Sequence, residues 1–176
     1  VEVEDFLLDG PTVVGVHARD LEGGDDLEIR ARVVVNATGI WTTELERIAG
    51  VQTPLPVRPS KGVHIVVPRE RIDSRLALIL PTEKSVLFVL PWGSHWIIGT
   101  TDTPWEFGLD HPAASRADID YLLEHANAIL SRPLTTEDIT AVYVGLRPLV
   151  AEDSADTAAV SREHVVRRSR PGLVSI

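Results

Sequence analysis

The chain has 176 residues, 44% of them hydrophobic and 24% charged, which is enough for one domain or parts of two and argues against disorder. A net charge of -9 and a pI near 5.1 disfavour nucleic acid, whose phosphates would be repelled without a dense basic patch. Cysteine is absent, which excludes a disulfide framework and thiolate metal sites, and no apolar run approaches the ~20 residues that cross a bilayer.

In chain order, Val1–Leu8, Thr12–Arg19 and Leu27–Ala31 alternate polar and apolar residues and are separated by Gly- and Asp-rich turns, the pattern of an antiparallel meander. The β-branched run within Ala31–Gly39 ends in small residues and predicts a buried, parallel strand. Trp41–Gly50 predicts a short helix stopped by Gly50, and Pro54, Pro56 and Pro59 then predict an extended crossover between domains. Four apolar strands are expected at Val63–Val67, Leu76–Leu80, Val86–Leu90 and Trp96–Gly99. Ala114–Ser131 predicts a long helix, with Ser115 and Asp118 forming a capping-box start and Ile119, Leu122, Leu123, Ala126, Ile129 and Leu130 on one face. A helical turn at Thr135–Asp138 and a strand over Ile139–Leu149 follow.

Arg147 and Arg162 are the residues whose chemistry stands out. Two guanidinium forks converging from neighbouring elements can grip an oxyanion by paired, charge-assisted hydrogen bonds, although most arginines are solvated or ion-paired. The cluster Arg162, Arg167, Arg168 and Arg170 reads as partly site and partly solvated edge. His64 alternates with Val63 and Ile65, so it either points into a cleft as a proton acceptor or is a structural strand histidine, and Lys61 falls on the opposite face. Thr38 and Gly39 close a strand at the end where α/β sheets hold ligands, or simply make a tight turn. The polar residues Thr100, Thr101, Asp102 and Thr103 serve loop backbone groups or a pocket floor. Glu152, Asp153 and Asp156 pair with arginines or face water. The six histidines share no metal-ligand spacing, so no metal is expected. G-x-G-x-x-G, G-x-S-x-G and H-E-x-x-H are all missing.

In order, Asn36-Ala37-Thr38-Gly39, Ser60-Lys61-Gly62-Val63-His64, Gly99-Thr100-Thr101-Asp102-Thr103 and Gly145-Leu146-Arg147-Pro148-Leu149 resemble the flavin-dependent glycerol-3-phosphate dehydrogenases of the D-amino-acid-oxidase-like flavoprotein group. The resemblance implies an α+β chain: an antiparallel-sheet substrate domain with one long helix, plus a trailing piece of a Rossmann-type FAD domain. It implies the tail of the FAD domain at 1–40, a helix and Pro-rich crossover at 41–60, the substrate domain at 61–150, and strands returning to the FAD domain at 151–176. FAD is then the cofactor, with Thr38 and Gly39 beside it. Arg147 and Arg162 hold glycerol 3-phosphate, and His64 lines the site as base or orienter. Quinone is the implied electron acceptor, in a cytoplasmic enzyme for which peripheral contact with the inner face of the membrane and a homodimer stay open. The lack of Met, the strand-like opening at Val1 and the apolar stop at Ile176 lead us to expect an internal fragment, inactive alone. Two rival readings carry the same arginines: an amino-acid or hydroxy-acid oxidase of the same group, and a non-catalytic anion-binding module.

Overall fold

The computed structural model describes residues 1–83, 86–150 and 164–176. They divide into two compact units. One holds Val1–Arg58 with 148–150 and 164–176, and the other holds Pro59–Arg147. The architecture is α+β, with antiparallel sheets and few helices.

In the first unit, β1 (Glu2–Asp9), β2 (Thr12–Arg19) and β3 (Asp26–Arg30) form the predicted meander, paired in the order β1-β2-β3. The next strand, β4 (Val34–Asn36), is shorter than the sequence run suggests and is not buried along its length, since Val35 is 55% exposed. It pairs in parallel with a strand from the far end of the chain, and it has a neighbour on that side alone among the described residues. Among the described residues, Val33 and Val35 are left about half exposed. After a single 3-10 turn, α1 (Thr42–Ile48) packs Leu45, with Ala49 at its C-cap, against Phe6, Val13 and Leu173. Glu46 of α1 is fully buried and accepts hydrogen bonds from Leu55 N, Ser169 Oγ, Ser175 Oγ and Arg167. Burial alone would raise this carboxyl, but those donors outweigh it and hold Glu46 below the usual glutamate range.

The second unit is built on β5 (Val57–Pro68), which enters from the first. Pro59 lies within the strand, because the edge beside it is served by the two-residue strand β9 (Thr103–Pro104) paired at Ser60 and Lys61. The extended segment read as a crossover is therefore partly strand. With β6 (Leu78–Pro81), β7 (Val86–Trp92), β8 (His95–Gly99) and β10 (Ala141–Val150) it makes a sheet in the order β10-β5-β8-β7-β6. One face of this sheet is apolar at every second residue. Val63, Ile65, Val67, Leu87, Val89, Trp96 and Ile98 are buried there against Leu122, Leu123 and Ala126 of α2 (Arg116–Asn127). Each such side chain contributes ~1.5–3 kcal/mol on leaving water.

The start of α2 is as the sequence predicts. Ser115 Oγ accepts from Asp118 N, while the Asp118 carboxylate accepts from Ser115 N at 2.7 Å. Its end comes earlier, leaving Ile129 and Leu130 beyond the helix. Asn127 there clasps Leu134, donating to its carbonyl at 2.9 Å and accepting from its N–H at 2.7 Å. The strands β11 (Arg167–Arg170) and β12 (Leu173–Ser175) close the chain, with β12 between β11 and β4.

Candidate functional site

The candidate site forms on the sheet face opposite α2. Alternation along β5 sends Lys61, Val63 and Ile65 to the helix side and Gly62 and His64 to the other. Lys61 is spent on structure. Its ammonium lies 2.6 Å from the Asp118 carboxylate, with both side chains almost wholly buried, and 5.4 Å from the Trp105 ring centre. His64 stands half-buried on the free face.

Two flanking strands shape the surroundings of His64. On β8, Gly99 pairs directly with His64, and a methyl group built there would overlap the imidazole, with Cγ only 2.6 Å away. On β10, Tyr143 stacks on the ring with centroids 4.8 Å apart and planes 7° from parallel. Arg147 follows Tyr143 by four residues, on the same face of the same strand. Its Nη2 donates to Thr100 Oγ1 at 2.8 Å and its Nη1 to the Thr101 carbonyl at 3.2 Å. The guanidinium lies over Gly62, where an added methyl carbon would sit 2.6 Å from Nη2 and 2.8 Å from Nη1. Thus the two strongest polar groups of this face rest on two glycines.

Electrostatics follow from this packing. Burial pushes the His64 imidazole below the usual histidine range, and the nearby Arg147 cation pushes it the same way. A neutral imidazole beside a fixed cation can take a proton from an alcohol while the cation holds an anionic group.

Below the site, Thr101 Oγ1 accepts from Val63 N at 3.1 Å, and Ser60 Oγ donates to the buried Asp102 carboxylate. Asp102 and Thr101 therefore fix the loop after β8, and Thr100 orients the arginine. The sequence marks that run as a structural loop or a pocket floor and gives no sign of its tether to Arg147, nor of the parts played by Gly62 and Gly99. Tyr143 does not stand out by its chemistry either, and its one signal is that it stands an even number of residues from Arg147 on a predicted strand.

Thr38 and Gly39 lie in the first unit, at the carboxyl end of β4. Asn36 Oδ1 accepts from Thr38 Oγ1 at 2.7 Å and from Thr38 N at 3.3 Å, and Asn36 Nδ2 donates to the Thr42 carbonyl at 3.1 Å. Gly39 has φ +60°, and among the described residues a Cβ there would meet only Pro148 Cγ, at 3.8 Å. The turn is thus a rigid ledge of small residues with space above Gly39, which fits the approach of a flat cofactor at a strand end.

Arg162 lies outside the described residues, as do Glu152, Asp153 and Asp156. Arg167 and Arg170 are structural ties rather than site or free edge. Arg167 donates to Glu46 and to the Thr53 carbonyl, and Arg170 to the Ala49 and Pro11 carbonyls. Among the described residues no group of His, Asp and Glu is arranged to hold a metal ion, and no helix is long and apolar enough to cross a membrane.

Residues 1–174 match the family described as FAD dependent oxidoreductase. The chain is 57% identical over 175 residues to "Glycerol-3-phosphate dehydrogenase 2" of Mycobacterium tuberculosis, covering 99% of this chain and 30% of that protein. It is 37% identical over 161 residues to "Alpha-glycerophosphate oxidase" of Streptococcus pyogenes, covering 88% of this chain and 26% of that one. Among solved structures, the glycerol-3-phosphate dehydrogenase from Bacillus halodurans complexed with FAD superposes with a TM-score of 0.85 at 35% identity, covering 99% of this chain and 34% of that chain. The chain thus spans less than a third of the length of these curated relatives.

Proposed function

This chain belongs to the FAD dependent oxidoreductase family, and we propose that it is part of a flavoenzyme that oxidises sn-glycerol 3-phosphate to dihydroxyacetone phosphate. The observation that carries the reading is Arg147, held over Gly62 by Thr100 and Thr101 on the face that presents His64. A guanidinium fixed in advance binds a phosphate without first losing rotamer freedom, so a remote group of the substrate positions its reacting carbon. His64, held neutral, accepts the C2 hydroxyl proton as the carbonyl forms. FAD, when bound, supplies the acceptor for the C2 hydride. Thr38 and Gly39 are the residues of this chain that would lie against it, and Arg162 is the second grip on the phosphate.

The names of the relatives support the substrate, since a dehydrogenase and an oxidase of glycerol phosphate both align with this chain. They differ in what takes the electrons. Our reading is quinone, which puts the enzyme in the cytoplasm at the inner face of the membrane. The remaining length of the relatives is needed for turnover on this reading, and residues 1–176 alone are inactive.

The test uses the full-length protein loaded with FAD. Glycerol 3-phosphate added without oxygen should bleach the flavin absorbance. Arg147→Ala should lower kcat/KM by about 30-fold or more, the low end of the loss when one partner of a desolvated charge pair is removed. A flavin that stays oxidised with glycerol 3-phosphate but bleaches with an amino acid or a hydroxy acid would overturn the substrate.

A further inference from the structure

We propose that Tyr143 is a positioning residue for His64, the aromatic plate that fixes the imidazole plane against the slot left by Gly99. The proposal rests on the reading of His64 as proton acceptor and goes on to say what aims it. An imidazole leaving the open face of a strand has two free torsions, and half-burial alone does not choose among their wells. Here both sides of the ring are occupied. Gly99 of β8 lies so close that a Cβ would collide with the ring, and Tyr143 of β10 lies parallel to it at 4.8 Å. The remaining edge of the ring is the only part turned from both walls.

Tyr143 has little structural reason to be aromatic. It is 46% exposed, and its phenol oxygen makes no hydrogen bond among the described residues. Core filling therefore does not explain the ring, whereas the near-parallel stack does. Burial against its neighbours raises the phenol above the usual tyrosine range, so the plate stays uncharged across neutral pH. Among the described residues, the charged and titratable groups facing His64 are Tyr143 and Arg147 from β10. Gly99 of β8 and Thr100 just after it bring none, and Lys61 of β5 points beneath α2.

The experiment compares the full-length, FAD-loaded protein with Tyr143→Leu, Tyr143→Phe and Gly99→Ala. The rate of flavin reduction by glycerol 3-phosphate is followed against pH, and the His64 ring protons are followed by NMR. Tyr143→Leu should lower kcat about ten-fold with KM changed far less, because a loosened base misses its proton while the phosphate grip is intact. Its acidic limb should shift as the ring moves relative to Arg147. Tyr143→Phe should rescue both the rate and the limb, and Gly99→Ala should reproduce the loss from the other wall. The ring-current shift on the His64 protons should be present in wild type and Tyr143→Phe and gone in Tyr143→Leu.

Wild-type kcat and limb in Tyr143→Leu would overturn the proposal. So would equal damage in Tyr143→Phe, which would assign the effect to the hydroxyl. A wild-type protein that glycerol 3-phosphate does not reduce would sink the substrate reading separately. The NMR shift would then decide the plate alone, and its absence in wild type would end it.

Discussion

A single carbon atom added at position 62 would stand where the Arg147 guanidinium now lies. The obstructed atoms are all side-chain atoms, the guanidinium end of Arg147 and the Thr100 hydroxyl at 2.7 Å, so the side chains must give way before the backbone does and the fold should hold. The guanidinium, however, would leave Thr100 and Thr101, and its fixed aim would be lost. We expect Gly62→Ala in the full-length enzyme to keep the wild-type melting temperature to within a few degrees while raising KM for glycerol 3-phosphate about ten-fold, ~1.4 kcal/mol. Steady-state kinetics beside a thermal melt separates the two effects, and either an unchanged KM or a melting temperature lowered well beyond a few degrees would contradict it. At this scale the sequence shows reactive groups more readily than the room they need. Arg147 and His64 stand out by their chemistry, and Lys61 was placed on the opposite face from His64 by simple alternation, as the structure has it. Gly62 and Gly99 carry no chemistry of their own, and their part is visible only when the neighbouring strands are in register.

Among the elements, the ion pair of Lys61 and Asp118 joins the central strand β5 to the first turn of α2. Burial works to raise the Asp118 carboxyl, but the Lys61 ammonium and the Ser115 donors outweigh it and hold it below the usual aspartate range. A carboxyl depressed in the folded state contributes stability that is complete above its unfolded pKa and is lost as pH falls through the lower folded value. Lys61→Met would leave a buried carboxylate without its cation, a loss of about 3–5 kcal/mol. Its chemical denaturation midpoint should fall, and its acid unfolding should move to higher pH. Unchanged acid unfolding would show that water reaches the pair. The local signals for these elements were strong where the reason was local: β2 and the Ser115 cap are where the pattern puts them. They failed where the reason was distant. The clasp of Asn127 on Leu134 ends α2 early, the edge pairing with β9 lengthens β5 through Pro59, and β4, with one neighbour among the described residues, is shorter than its apolar run.

At the scale of the molecule, the two apolar cores seen among the described residues share no residue. The larger is built wholly from residues between Val63 and Val144, and the smaller from residues near the two ends of the chain, Phe6 through Val51 with Leu173. A polypeptide of residues 59–147 should therefore fold by itself with one cooperative thermal transition, read by circular dichroism and a dispersed NMR spectrum, since domains of this size have their own core. A chain ended at 150 should lose order in its first part, because β4 would have no β12 to pair with and Leu173 would be missing from the core. Spectra without dispersion for 59–147 would refute the first expectation. Local periodicity could not have shown that the first core needs both ends of the chain. The order of the short motifs carried the family instead, because it records long-range assembly that no single window contains.

The three-residue step from Lys61 to His64 has one more consequence, for populations of molecules rather than for one. Were β5 to slip by a single position against its neighbours, its faces would exchange. The imidazole would be driven under the helix, the ammonium would emerge on the open side, and Asp118 would be stranded without a counter-charge. Such a molecule gains no stable alternative, so threading errors are discarded as unfolded chains instead of accumulating as well-formed but inert ones. Refolded full-length protein reloaded with FAD should then show a specific activity per folded molecule that is independent of refolding yield.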